Sequence, residues 1–190
     1  TLGGPDPYSA SKGAAEIAIR SYFKSYFKNP GNGIKIASAR AGNVIGGGDW
    51  AESRIVPDCI QAWSQNKTVG LRNPGSTRPW QHVLEPLGGY LILASELSKN
   101  NNLHGEAFNF GPPAHQNHSV LSLVEEMSLH WTQVKWEKPK EVNEAFYESG
   151  LLKLNCDKAL HLLDWQAVLS FSETVKLTTE WYMQFYENSE

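Results

Sequence analysis

The sequence predicts an α/β fold, and three observations predict it. A run without proline, Tyr8 to Lys28, is stopped by Asn29-Pro30-Gly31-Asn32-Gly33 and followed at once by the apolar Ile34-Lys35-Ile36-Ala37-Ser38-Ala39-Arg40. A helix leading straight into a short buried strand is the second half of a crossover in a parallel sheet. Beyond Arg40, strand-like and helix-like runs alternate to the end of the chain, with no internal repeat or low-complexity tract. The loop that leaves the strand, Ala41 to Trp50, carries Gly46-Gly47-Gly48 and lies at the edge where open α/β sheets bind ligands. Three glycines let a backbone approach a ligand closely, and they equally allow a plain tight turn.

The first helix is predicted from Tyr8, because Pro5 and Pro7 are tolerated only at or before a helix start. Tyr8, Lys12, Ala15, Ile19, Tyr22 and Tyr26 share one face, while Glu16, Arg20 and Lys24 form a polar stripe with Glu16 four residues before Arg20. Ala14, Ala18 and Phe23 leave apolar surface outside that stripe, so the helix is expected to be deeply buried or packed against another subunit. The strand follows at Ile34 to Ala39. Ile55 to Gln65 reads as a helix with Pro57 in its first turn, and Thr68 to Arg72 as a strand turned by Asn73-Pro74-Gly75. Leu84 to Leu97 is the next helix, with Leu87, Leu91 and Ala94 expected on its inner face. Ala107 to Phe110 is a strand ended by Gly111-Pro112-Pro113. Ser119 to Trp131 is an amphipathic helix with Ser119 or Ser122 as its cap. Lys135-Trp136-Glu137 reads as an edge strand, and two further helices begin at Cys156 and Phe171, the second reaching about Tyr186.

Composition narrows the function classes. The 190 residues can close one ordinary core or two small ones. A net charge of −3 without a basic tract argues against a nucleic-acid partner. No apolar run approaches the ~20 residues that span a bilayer, so no membrane partner is expected. Cys59 and Cys156 lie far apart and are expected as buried thiols in a reducing compartment. No set of residues suggests a metal site. Thr1, not Met, opens the chain. The expectation is of a cytoplasmic protein seen without its natural start.

Tyr8 and Lys12 are the candidate catalytic pair. Residues four apart on a helix stand one above the other. A neighbouring ammonium favours the phenolate, which makes the pair a proton-transfer device suited to oxidising an alcohol. The bare spacing is common in ordinary sequences, and a core-facing tyrosine beside a solvated lysine is the plain alternative. Context carries the reading.

That context is a set of three motifs in order: Pro5-Asp6-Pro7-Tyr8-Ser9-Ala10-Ser11-Lys12, Arg40-Ala41-Gly42-Asn43-Val44, and Arg78-Pro79-Trp80-Gln81-His82-Val83. Together they resemble the extended short-chain dehydrogenase/reductase family, the NAD-dependent epimerases and dehydratases. Ile45, Gly46 and Glu85 depart from the family's commoner Asn-Val-Tyr-Gly-Pro and aspartate, and Arg54-Ile55-Val56-Pro57-Asp58 and Phe108-Asn109-Phe110-Gly111-Pro112 match as well. These details favour the branch of nucleotide-sugar 4,6-dehydratases that takes CDP-glucose. The resemblance implies the C-terminal half of a Rossmann-type NAD-binding domain over residues 1–48, and a small mixed α/β nucleotide-sugar-binding domain over residues 49–190.

The resemblance also implies roles. Tyr8 would take the proton of the sugar 4-hydroxyl while Lys12 holds the nicotinamide ribose, so both are cofactor-binding as well as catalytic. Asn43 and Arg78 match positions that hold the substrate diphosphate, where a guanidinium grips two oxygens at once. Arg54 and Arg72 are second-rank candidates for phosphate and cytosine-side contacts. His82 is expected to be structural. The family's tyrosine–lysine helix packs against its partner's copy, so a homodimer is expected, with Ala14, Ala18, Phe23 and Phe27 as its apolar surface.

No glycine fingerprint follows an initial strand, and no acidic residue is placed to grip an adenosine ribose. The elimination acid/base is missing too. The isolated chain is therefore expected to be inactive. Two rivals stay open: another NAD-dependent nucleotide-sugar epimerase or dehydratase, and a non-catalytic nucleotide-sugar-binding or assembly module.

Overall fold

A computed structural model describes residues 3–4, 6–29, 31, 33–138 and 154–188. Helix α1 spans Pro7–Tyr22 and ends in a π turn, Phe23–Phe27. Asp6 caps it, its carboxylate accepting the Ser9 N–H at 2.9 Å, and Pro7 occupies the first turn where no donor is needed. This is the long first helix the sequence predicts.

Strand β1 (Ser38–Ala41) pairs in parallel with β6 (Ala107–Phe110), Arg40 standing opposite Asn109. The parallel pairing is as expected, but the strand starts four residues later than Ile34. The reason lies in Ile36: its N–H goes to His104 Nδ1 at 3.1 Å and its carbonyl to the Gly105 N–H at 2.8 Å. A side chain and a turn take the groups that a ladder would have used.

Between these strands run β2 (Val44–Ile45), α2 (Ile55–Ser64), β3 (Val69–Gly70), β4 (Thr77–Arg78), β5 (Gln81–His82) and α3 (Leu84–Lys99). After β6 come β7 (His118–Ser119), α4 (Val120–Met127), β8 (Trp136–Glu137), α5 (Asp157–Leu163) and α6 (Phe171–Glu187). The short strands pair as β2 with β5 and β3 with β8, both parallel, and β4 with β7, antiparallel. Ser119 is the cap of α4, accepting the Ser122 N–H at 3.0 Å, and the helix stops at Met127, earlier than Trp131. A full capping box, Ser170 with Glu173, starts α6.

Alternation along β6 divides the layers. Asn109 points with Arg40 toward α1, while Phe108 and Phe110 are fully buried on the opposite face with Leu93 of α3 and Ala159, Leu163 and Trp165 around α5. A second core collects Val56, Cys59, Ile60 and Trp63 of α2, Leu123, Val124 and Met127 of α4, and Val175 and Tyr182 of α6.

Helix α3 turns the other way from the expectation. Leu87, Leu91 and Ala94 face outward, and the inner face is Glu85, Pro86, Gly89 and Leu93. Gly89 decides this: a Cβ there would meet the Phe110 ring at 2.3 Å, so the helix approaches β6 most closely at its glycine. Both cysteines are free thiols; Cys59 is fully buried, and burial pushes its thiol far up.

Candidate active site

Tyr8 and Lys12 stand together near the start of α1, the ammonium 5.5 Å from the centre of the phenol ring. Both side chains are exposed, Tyr8 at 72%. What fixes them is not an apolar contact. Gly13 is the single buried residue of α1, and the side that meets the sheet carries Glu16. Glu16 forms a two-pronged ion pair with Arg40 of β1, Nε to Oε1 at 2.6 Å and Nη2 to Oε2 at 2.8 Å. Arg40 Nη1 then donates to Asn109 Oδ1 of β6 at 3.2 Å. The guanidinium holds the Glu16 carboxyl below the ordinary carboxylate range, and Glu16 in turn raises Arg40.

The expected pairing of Glu16 with Arg20 along the helix is therefore corrected: the polar stripe turns inward at Glu16, and the partner lies 24 residues away. The local hint is that Arg40 interrupts an apolar run, but no spacing rule links it to Glu16.

The far end of α1 is pinned separately. His104 Nδ1 accepts the Ile36 N–H, so its Nε2 carries the proton and donates to the Phe27 carbonyl. Phe23 meets the His104 ring edge-on at 4.9 Å and fills the space over Gly105, where a Cβ would lie 2.2 Å from the Phe23 ring. Phe23 and Phe27 thus turn toward the sheet. Of the four residues expected to form an apolar outer surface, only Ala14 and Ala18 are exposed.

Asn43 and Arg78 occupy adjoining segments. The Asn43 carbonyl accepts the Gln81 N–H at 3.0 Å, and Gly42 lies against Pro79, a Cβ there meeting its ring at 3.2 Å. Arg78 donates to the Thr77 carbonyl at 2.8 Å and stands opposite His118 across β4 and β7. Arg54 pairs with Asp49 at 3.0 Å. Arg72 is exposed, its charge felt by Asp58 near the start of α2, where burial nonetheless pushes the Asp58 carboxyl up. The six residues thus form a pair on α1, Asn43 just before β2 with Arg78 on nearby β4, and two arginines flanking α2.

The glycine loop packs on protein. A Cβ at Gly47 would meet Trp181 of α6 at 2.0 Å, and one at Gly46 would meet Val83 at 2.7 Å. Tyr182 staples the loop, its hydroxyl donating to the Asp49 carbonyl at 2.7 Å and accepting the Asp49 N–H at 3.1 Å. Of the two openings left by the sequence, the tight turn is the one built. His82 is buried, with Nδ1 accepting the Leu84 N–H at 3.4 Å, as suits a structural residue.

Two clefts lie elsewhere. One of about 600 Å³ opens between α4 and the start of α6, lined by His118, Ser122, Glu125, Glu126 and Ser170 among others. Another of about 280 Å³ runs under α1 past Glu16, Arg20, Phe23 and Arg40. Neither is lined by Tyr8, Lys12, Asn43, Arg54, Arg72 or Arg78. Among the described residues, no helix is long and apolar enough to cross a membrane.

Comparison with known proteins now bears on this geometry. No family model matches the chain. It is 42% identical over 186 residues to the CDP-glucose 4,6-dehydratase of Salmonella typhimurium, an alignment covering 95% of this chain and 51% of that protein. It is 26% identical to human dTDP-D-glucose 4,6-dehydratase, across 96% of this chain and 50% of that one. The chain spans about half the length of the curated relatives it matches. Among solved structures, it is similar to a Bacillus anthracis dTDP-glucose 4,6-dehydratase in complex with NAD, with a TM-score of 0.76 at 20% identity over 98% of this chain and 55% of that one. Two crystal structures of Bacillus cereus UDP-glucuronic acid 4-epimerase with NAD give TM-scores of 0.77 at 20% identity and 0.76 at 19%, each over 95% of this chain and 54% of that one. The fold is therefore Rossmann-type α/β.

Proposed function

We infer, from a chain that fits the C-terminal portion of the short-chain dehydrogenase/reductase family's epimerase/dehydratase branch, that its parent enzyme is a dehydratase. Its reaction converts CDP-glucose to CDP-4-keto-6-deoxyglucose. The observation that carries this reading is the 42% identity to a CDP-glucose 4,6-dehydratase along 95% of the chain, with Tyr8 and Lys12 placed side by side on a helix locked to the sheet.

Tyr8 is the base. It takes the proton from the sugar 4-hydroxyl, and Lys12, one turn on, holds the nicotinamide ribose. The chemistry NAD supplies when bound is the reversible uptake of a hydride. Exposed phenol and ammonium fit the ribose end of such a cofactor. The Gly46–Gly48 turn does not fit its pyrophosphate, because Trp181 and Val83 already fill the space above it. The 190 residues alone are therefore expected to be inactive and to bind NAD poorly. Asn43 and Arg78 hold the unreacting diphosphate, with Arg54 and Arg72 toward the nucleotide. We take residues 1–48 as the cofactor side and 49–190 as the nucleotide-sugar side, and a homodimer as the working assembly.

The test is steady-state kinetics on the natural-length enzyme that contains this chain. Tyr8→Phe should cut turnover ~10²–10⁴-fold with little change in KM, and Arg78→Ala should act mainly through KM. Near-normal turnover in Tyr8→Phe would remove the mechanism. Product formed equally well from UDP- or dTDP-glucose would instead move the enzyme to another nucleotide-sugar branch.

A further inference from the structure

We propose that Arg40 is a positioning residue for the redox step: its fork on Glu16 sets the roll of α1 about its own axis, and so sets where Tyr8 and Lys12 point. The proposal rests on the Tyr8–Lys12 reading above and deepens it. Helix geometry makes the link direct. At ~100° per residue, Glu16 lies ~40° around the helix from Lys12 and ~80° from Tyr8, about one and two turns along. All three are on one side.

An apolar helix face sliding on a sheet tolerates small rotations, because dispersion contacts have no preferred direction. The face of α1 toward the sheet offers almost no such surface: Gly13 is its one buried residue, and α1 exposes Ile17, Ile19 and Tyr22 instead. A planar guanidinium meeting both oxygens of a carboxylate does have a direction. Arg40 is itself held in that direction by Asn109, whose Nδ2 donates to the Asn155 carbonyl at 2.9 Å. A chain of directional bonds therefore runs from Asn155, two residues before α5, across β6 and β1, into the middle of α1. The Asp6 cap and the His104 clamp hold the helix ends, but neither side chain reaches Lys12.

Magnitudes separate orientation from stability. Arg40 is 40% exposed and Glu16 22%, so water screens the pair and its net contribution to folding is small. A roll of ~20° moves a side-chain tip ~5–6 Å from the axis by ~2 Å. Misplacement by ~1 Å at a reacting centre costs ~10²-fold in rate. The fork therefore matters little to the fold and much to the geometry of proton transfer.

Three variants of the natural-length enzyme test this: Arg40→Met, Arg40→Lys, and the exchange of Glu16→Arg with Arg40→Glu. Arg40→Met should lower kcat ~10- to 100-fold, leave the KM for nucleotide sugar within ~2-fold, and shift the thermal midpoint by only a few degrees. Arg40→Lys keeps the charge without the fork and should fall between. The exchange should recover at least part of kcat. Unchanged kcat in Arg40→Met beside a dead Tyr8→Phe would overturn the positioning role while the reaction stands. So would a kcat loss matched by collapse of the thermal midpoint and not recovered by the exchange. Normal turnover in Tyr8→Phe would instead remove the mechanism on which the proposal rests.

Discussion

Two half- or fully buried imidazoles tie this chain's stability to pH. His82 lies beneath the Gly46 loop, and His118 stacks on Phe171 with ring centres 3.8 Å apart. Burial lowers both from the ordinary histidine value, with Glu85 and Glu126 pulling weakly the other way. A lowered folded value means that the unfolded chain binds more protons, so stability is complete above the ordinary range near ~6.5 and is lost as pH falls below it. Urea midpoints should therefore rise from pH ~5 to ~7, and His118→Gln should flatten part of that rise. A level profile in both proteins would refute the linkage. Residues also differ in how plainly the sequence announces them. Tyr8 and Lys12 are legible because a spacing of four is local. Arg40 is not, because its partner is 24 residues away and a nearer arginine, Arg20, offers the simpler pairing. Gly47 and Trp181 escape for the same reason, since no spacing rule links a loop glycine to an indole on the last helix.

At the scale of elements, most helices are legible through their stops: Asp6 and Pro7 start α1, Ser170 with Glu173 starts α6, and the Asn-Pro-Gly turn ends β3's run. Register and facing are less so. In α3 the leucines suggested the inner face, whereas the inward stripe is Glu85, Gly89 and Leu93, because close approach to Phe110 counts for more than side-chain polarity. Glu85 is itself used: its Oε1 accepts the Val168 and Leu169 N–H groups at 3.0 and 2.7 Å, ahead of α6. This facing can be measured. Gly89→Ala forces a Cβ into the Phe110 ring and should cost about 1–3 kcal/mol in urea unfolding of this chain. Leu91→Gln, on the exposed side, should stay within about 0.5 kcal/mol. The reverse order would mean that the leucine face is the buried one.

At the scale of the whole molecule, the β1–β6 sheet has helices on both faces, and those helices carry apolar side chains outward on both sides. On α1, Ile17 is 60% and Tyr22 61% exposed; on α3, Leu84 is 63% and Leu91 74% exposed. Large apolar side chains exposed in this way favour an interface, because leaving them in water forgoes ~25 cal/mol for each Å² that could be covered. A net charge of −3 provides little repulsion to keep copies apart. The 190-residue chain should therefore self-associate, its weight-average mass by light scattering rising with concentration to a dimer or beyond. Salt discriminates the cause. Association through surface ion pairs would weaken as added salt screens them, whereas association through apolar helix faces should persist or strengthen in sulfate. Ile17→Glu with Tyr22→Glu places two carboxylates on exposed sides of α1, away from the Glu16–Arg40 fork, and should lower the mass without altering the far-ultraviolet spectrum. A monomer of constant mass at high concentration would show that these faces do not seek a partner, and the proposed homodimer would have to be built on another surface.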